Sequence, residues 1–288
     1  MDSRDYIWAL TINNAADVPA DFDPPAAISD LVAGVFLPQS EPDWLRRRAY
    51  PARILLLTHE ALWVVAHPRA KEQQLVIPLG DIEALECGRI LLIGWIGLRC
   101  GSLQQDLGYN RRGSVIVERF LTRLKASWLT TETHQAEIEL SERRDYGAAP
   151  NDKFKYALET ELIDDQERPQ IRFFHPSIRR VRRRLFGNVF RKETRSAADL
   201  ILLTQRRLLW ITERRGATCA PYGTVSYSTP FTAVADVTCQ RTEHEPELCI
   251  CLRSGEIWRL PLDDSDETEA RLFADAIRRA LAARKTPQ

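Results

Sequence analysis

The sequence predicts an α+β protein of two tandem domains. Each is a strongly bent antiparallel sheet, or partly open barrel, of about seven strands closed by a C-terminal amphipathic helix. Three observations predict it. First, the chain states one pattern twice: residues 54–65 read Ile-Leu-Leu-Leu-Thr-His-Glu-Ala-Leu-Trp-Val-Val, and residues 200–211 read Leu-Ile-Leu-Leu-Thr-Gln-Arg-Arg-Leu-Leu-Trp-Ile. Each is an apolar run ending at a threonine, a polar break and a second apolar run, as expected of two strands joined by a tight turn. Second, the echo persists downstream, with Pro78-Leu79 against Pro230-Phe231 and Leu98-Arg99-Cys100-Gly101 against Leu252-Arg253-Ser254-Gly255. A period of about 145 residues far exceeds the roughly 20–50 of solenoid repeats, so it marks a duplicated domain. Third, each copy closes on a run with apolar residues at helical spacing.

The elements follow in order. Residues 1–29 form a polar, Pro/Ala-rich extension expected to loop over the first domain, which spans 30–130. A strand at Leu31–Leu37 ends at Pro38, a charged insertion runs from Glu41 to Tyr50, and the strand pair fills 52–66. Gln74–Pro78 and Ile82–Cys87 read as short strands. Arg89–Arg99 and Leu103–Leu107 read as a hairpin turning at Cys100-Gly101-Ser102. From Ser114 to Leu129, Val117, Phe120, Leu121, Leu124 and Trp128 share one helical face.

Residues 131–151 are a polar linker carrying Gly147 and Pro150. The second domain, 152–284, opens with a helix at Asp152–Ile163, striped by Phe154, Leu158 and Leu162. It then repeats the order: a strand at Gln170–His175 ended by Pro176, an insertion, the strand pair at 199–212, and strands at Thr224–Ser228 and Val234–Arg241. A hairpin of Leu248–Leu252 with Glu256–Leu260 follows, turning at Arg253-Ser254-Gly255. The closing helix runs from Glu267 to Ala283, with Asp266 and Glu269 spaced as a capping box.

Composition bounds the function. The 288 residues carry 40 Lys+Arg and 40 Asp+Glu, so bulk charge argues for neither a nucleic-acid coat nor an acidic tail, and any electrostatic function lies in local clusters. The N-terminus, beginning Met1-Asp2-Ser3-Arg4, lacks the basic and apolar regions of a secretory signal. The longest strongly apolar stretch, Ile90–Leu98, is broken by Gly94 and Gly97 and falls short of the ~20 residues a membrane span needs. The expectation is a soluble, cytoplasmic chain, at most peripheral at the inner face of a membrane. Its six cysteines are expected to be reduced thiols.

The Leu-Leu-Thr-x-x-x-Leu-Leu-Trp strand pair at Leu202–Trp210, its weaker form at Leu56–Trp63, Tyr222-Gly223 before the fourth strand, and the closing helix resemble the pleckstrin-homology (PH)-like superfold. The nearest likeness is to bacterial PH and GRAM-type domains. The resemblance covers 30–130 and 152–284, and the first copy departs from it at the helix start, where Tyr109-Asn110-Arg111-Arg112 replaces an acidic cap. It implies a binding module without cofactor. In PH-like domains that bind lipid headgroups, the basic pocket lies in the loop after the first strand.

That loop in the second copy is strongly basic. Arg179, Arg180, Arg182, Arg183 and Arg184 are followed by Phe186, Phe190, Arg191 and Lys192, and Glu193 is the lone acid between Arg172 and Arg195. Wound as a helix, the segment places Ile178, Val181, Leu185 and Val189 on one stripe with the aromatic rings beside it. Anionic membrane surfaces select such basic amphipathic stretches. Arg46, Arg47 and Arg48 are the thinner counterpart in the first copy, beside Trp44, a candidate interfacial ring. The other tryptophans suit core anchors on strands and the closing helix.

The bland alternative packs the stripe on its own domain and pairs the arginines with Asp164, Asp165 and Glu167. Function therefore divides between docking this segment on an anionic surface, either phospholipid or an acidic protein partner, a protein-interaction scaffold without lipid binding that engages its partner through the closing helices and open sheet edges, and an enzyme with an unrecognised site between the domains. Nucleic acid is not expected, because no helix-turn-helix, zinc-finger or RNP signature is present. Cys249-x-Cys251 with Cys239 invites a metal, but zinc pairs are spaced C-x2-4-C and the first copy has no equivalent, so buried apolar thiols are expected. No P-loop, G-x-S-x-G, H-E-x-x-H or G-x-G-x-x-G is present, and no catalytic residue, metal or cofactor is assigned.

Overall fold

A computed structural model describes residues 6–23, 26–39, 50–67, 74–90, 93–130, 152–161, 167, 169–177, 179–182, 191–194, 197–215, 218–219, 223–243 and 245–284. The chain divides into two units, Met1–Thr131 and Glu132–Gln288, and the described residues are mixed α+β.

In the first unit, β1 (Leu10–Ile12), β2 (Ala33–Leu37), β3 (Arg53–Leu57), β4 (Ala61–Ala66) and β5 (Gln74–Pro78) pair antiparallel in chain order. A 3-10 turn at Leu79–Asp81 leads to a second antiparallel run, β6 (Ala84–Ile90), β7 (Ile93–Cys100) and β8 (Leu103–Asn110). Asn110 Oδ1 accepts from the Arg112 amide at 3.0 Å, capping a 3-10 turn that feeds α1 (Ser114–Thr130). The missing acidic cap is thus supplied by an asparagine, a residue type equally suited to the position.

The apolar runs of β3 and β4 do not alternate with polar residues, because both faces are covered. Phe36, Ile54, Leu56 and Val65 form one cluster with Ile12 and Phe22, and Leu10, Val18, Ile28 and Leu31 pack against it. Leu55 and Leu57, on the other face, are equally buried. The extension expected to be a polar loop is therefore part of the domain: its Leu10–Ile12 is a strand of the sheet and Phe22 a core residue. α1 lies along β2, and Trp128 donates from Nε1 to the carbonyl of Ile82 at 2.9 Å.

The second unit retraces the order. β9 (Ile171–His175), β12 (Asp199–Leu203), β13 (Arg207–Thr212) and β16 (Gly223–Pro230) are antiparallel neighbours in that sequence. A 3-10 turn at Phe231–Ala233 precedes β17 (Val234–Arg241), β18 (Pro246–Leu252) and β19 (Ile257–Pro261), and α3 (Glu267–Arg284) closes the unit. Here the cover is α2 (Asp152–Glu161): Phe154 and Ala157 pack on Leu200, Leu202, Leu209 and Ile211. α3 takes the opposite face, with the Phe173 and Phe273 rings 5.6 Å apart.

The repeated threonine has a local cause. Thr58 Oγ1 accepts from the amides of Glu60 and Ala61 at 3.4 and 3.1 Å. Thr204 Oγ1 does the same for Arg206 and Arg207 at 3.2 and 3.1 Å. In each copy the side chain closes the turn between the paired strands. The hairpin glycines Gly101 and Gly255 adopt φ of +57° and +91°, a region glycine enters without steric cost.

One expected break is absent. Gly88 lies inside β6, which continues to Ile90, and the side chain of its cross-strand partner Trp95 occupies the space a methyl group would need. A Cβ at Gly88 would fall 1.8 Å from Trp95 Cζ2, and one at Gly94 would fall 2.2 Å from Tyr109 Cζ. Trp95 is fully buried and donates from Nε1 to Glu86 Oε1 at 2.5 Å. Aromatic rings laid over strand glycines thus replace ordinary cross-strand side-chain pairs.

Candidate functional site

In the second unit the sheet is interrupted between two residues that face each other. His175, the last of β9, lies opposite Asp199, the first of β12. The intervening residues 176–198 hold the basic segment. Its backbone is extended: β10 (Arg179–Arg182) pairs antiparallel with β11 (Arg191–Thr194), placing Arg179 opposite Thr194, Arg180 opposite Glu193, Val181 opposite Lys192 and Arg182 opposite Arg191. The helical stripe expected for Ile178, Val181, Leu185 and Val189 is thereby replaced at Val181 by a strand position. Pairing between segments about ten residues apart overrides a spacing that also fits a helical period.

Among the described residues these two strands pair only with each other. Eight paired positions carry five cations (Arg179, Arg180, Arg182, Arg191 and Lys192) against the single acid Glu193. Arg183, Arg184, Phe186 and Phe190 lie outside the described residues, as do Trp44, Arg46, Arg47 and Arg48 of the first unit.

A second arm was not anticipated from sequence. β14 (Arg214–Arg215) pairs with β15 (Thr218–Cys219) between β13 and β16. The register shows where it stands: Asp199 faces both His175 and Thr212, and Thr212 faces Val225. Both arms therefore leave the same end of the β9–β12–β13–β16 run, bringing Arg214 and Arg215 to the end that carries the basic ribbon. The dipeptide Arg214-Arg215 just beyond an apolar strand was the available signal.

The base of these arms is held by buried and half-buried polar links. His175 is fully buried, with Nδ1 2.7 Å from Asp266 Oδ2, so the carboxylate expected to cap α3 also ties the helix start to β9. Trp210 donates from Nε1 to Asp199 Oδ1 at 2.9 Å, and its ring lies 5.1 Å from Tyr227 and 6.2 Å from Trp258. Lys153 of α2 reaches Glu213 at 2.8 Å.

Glu167 does not serve the basic segment. Its carboxylate binds Arg207 bidentately, Nε to Oε1 at 2.7 Å and Nη2 to Oε2 at 2.8 Å, and both side chains are fully buried. Arg207 Nη1 donates to Ser228 Oγ at 2.9 Å and Nη2 to the carbonyl of Glu161 at 2.5 Å, while Thr204 Oγ1 donates to Glu167 Oε1 at 3.0 Å. This network ties the end of α2 to β13 and β16; Ala61 occupies the corresponding turn position in the first unit.

The cysteines do not converge. Cys249 faces Thr238, one register step from Cys239, and among the described residues no group of three or more His, Cys, Asp or Glu is placed to hold a metal ion. Burial raises the thiols of Cys239 and Cys249 above the usual range, and burial followed by Asp81 and Glu83 pushes Cys100 up to about 11. Nucleophilicity requires the thiolate. Alkylation of these three thiols at mildly alkaline pH is therefore expected to run well below the rate in the denatured chain, read residue by residue by mass spectrometry. Equal rates would show that they are not held as neutral thiols.

No helix among the described residues is long and apolar enough to cross a membrane. Set against known proteins, no family model and no curated protein matches this chain.

Proposed function

We propose that this chain is a non-enzymatic binding protein of two PH-like units that docks on anionic phospholipid through the basic end of its second unit. The fold reading is supported by five antiparallel strands in the first unit and four in the second, each set followed by a 3-10 turn, three more strands and a terminal helix. The observation that carries the functional reading is the ribbon Arg179–Arg182 against Arg191–Thr194. Like charges directly opposed across strands are unfavourable, and Arg182 faces Arg191. A multivalent anion or an anionic surface offsets that repulsion.

At about 1 kcal/mol per cation near an anionic leaflet, five cations favour the bound state by roughly 5,000-fold. Arg214 and Arg215 add to the same end. An acidic protein partner is the rival reading, favoured by the ribbon's lack of any other strand neighbour among the described residues, since a strand edge can accept a further strand.

The test is co-sedimentation with phosphatidylcholine vesicles with and without phosphatidylserine, using the natural chain and an Arg179/Arg180/Arg182/Arg183/Arg184→Ala variant. Binding confined to phosphatidylserine vesicles, weakened by salt and lost in the variant, is the expected result. Absence of binding by the natural chain would remove the lipid reading and leave the protein partner, to be sought through the same arginines.

A further inference from the structure

The first unit carries an exposed apolar patch that its own core does not explain. Among the described residues the large apolar side chains left exposed are Ile7, Trp8, Val76, Val115, Tyr156, Ile257 and Leu272. Three of them, Ile7, Trp8 and Val115, belong to the segments around Ala9 and Gly113, which pack together at the start of α1. The Arg112 guanidinium lies over the Trp8 ring, 5.4 Å from its centroid. The next residue, Gly113, packs so closely on Ala9 that a Cβ there would sit 2.9 Å from the Ala9 amide nitrogen. Ile7, two residues before Ala9, is 66% exposed, and Val115, two residues after Gly113, is 57% exposed. Every other described tryptophan is buried or half-buried, so Trp8 departs from the rule the remaining rings follow.

Charge says what the patch fits. Arg112 is exposed, as is Arg119, one turn of α1 beyond Val115, while the neighbouring Glu118 is committed to Arg89 at 3.7 Å. A tryptophan ring with one polar edge, aliphatic neighbours and flanking arginines matches the boundary between headgroups and acyl chains. The rings and methyls enter the apolar side, and the arginine stems lie along it with their charges among the phosphates.

We infer that Ile7, Trp8 and Val115, with Arg112 and Arg119, form a second anchor, in the first unit, that seats at the headgroup level of an anionic bilayer. The inference rests on the membrane reading proposed above but not on the basic ribbon, and the two are separable by experiment. Trp8→Ala and Arg112→Ala alter exposed side chains, and they are expected to lower partitioning onto mixed phosphatidylcholine–phosphatidylserine vesicles by about tenfold and about fivefold respectively.

The experiment compares the natural chain, these two variants and the five-arginine variant on the same vesicles. A second readout is the quenching of tryptophan emission by acyl-chain-brominated lipid in the natural chain and in Trp8→Phe. Loss of binding in the Trp8 and Arg112 variants, with quenching that Trp8→Phe removes, is the expected result. If those variants bind like the natural chain while the five-arginine variant does not, the anchor is overturned and the ribbon reading stands. If they lose binding while the five-arginine variant keeps it, the anchor stands and the ribbon reading falls. A natural chain that binds no vesicle overturns both.

Discussion

Replacing Arg207 by methionine is expected to destabilise the second unit by about 3–5 kcal/mol, because it removes the bidentate cationic partner of the buried Glu167 carboxylate. The guanidinium makes four contacts at once, two with Glu167, one with Ser228 and one with the Glu161 carbonyl. All three of these partners are themselves buried. For a domain of this size roughly 2–4 °C of Tm follows each kcal/mol, so a fall on the order of 10 °C is expected by calorimetry. The informative control is Arg207→Met with Glu167→Leu. Removing both charges leaves a side chain of similar volume and no orphan, and such replacements are often neutral or stabilising. A double variant as unstable as the single one would show that packing, rather than the stranded charge, sets the cost.

The second large effect is expected at Gly88. An alanine there places its methyl inside the Trp95 ring, so the ring must leave its buried site and its bond to Glu86. Overpacking of this kind costs typically 1–3 kcal/mol and more when a ring cannot move aside. Trp95→Ala by itself is expected to cost about 3–5 kcal/mol through the cavity it leaves. The two are coupled: with Trp95 already alanine, Gly88→Ala is expected to be nearly neutral, since the clashing atoms are gone. Urea unfolding of the four proteins gives the cycle. Additive losses would mean that Gly88 is needed for its backbone rather than for the ring above it.

Much of the fold was legible along the chain because its signals are short-range. The threonine between apolar runs closes a turn through its own hydroxyl, three residues span the contact, and the motif is therefore visible in both copies. Val117, Phe120, Leu121 and Leu124 announced α1, and Gln74–Pro78 and Val234–Arg241 were bounded as they occur. The short strand Leu10–Ile12 was hidden, since three residues carry too little periodicity to stand out and its partner lies more than twenty residues away.

The candidate site was legible in composition and not in shape. Clustering of arginines marked the segment after β9, yet apolar residues spaced for a helix suggested a helical form. The extended pairing of Arg179–Arg182 with Arg191–Thr194 depends on segments the spacing does not compare. Arg214 and Arg215 joined the same end only through strand register.

What the sequence by itself determined was the repeated strand-pair pattern, most of the strands and helices in order, the turns and the place of the basic segment, all set by neighbours in the chain and their propensities. Only the tertiary structure decided which polar residues are interior. Arg207 sits at the turn position that Ala61 holds in the first unit, and it is Glu167, Ser228 and the end of α2 that converge on it and make a buried arginine possible. Trp8 reads as one more core ring, and the structure leaves it outside, under an arginine. Burial is a property of what the rest of the chain brings to a residue, and local sequence does not contain it.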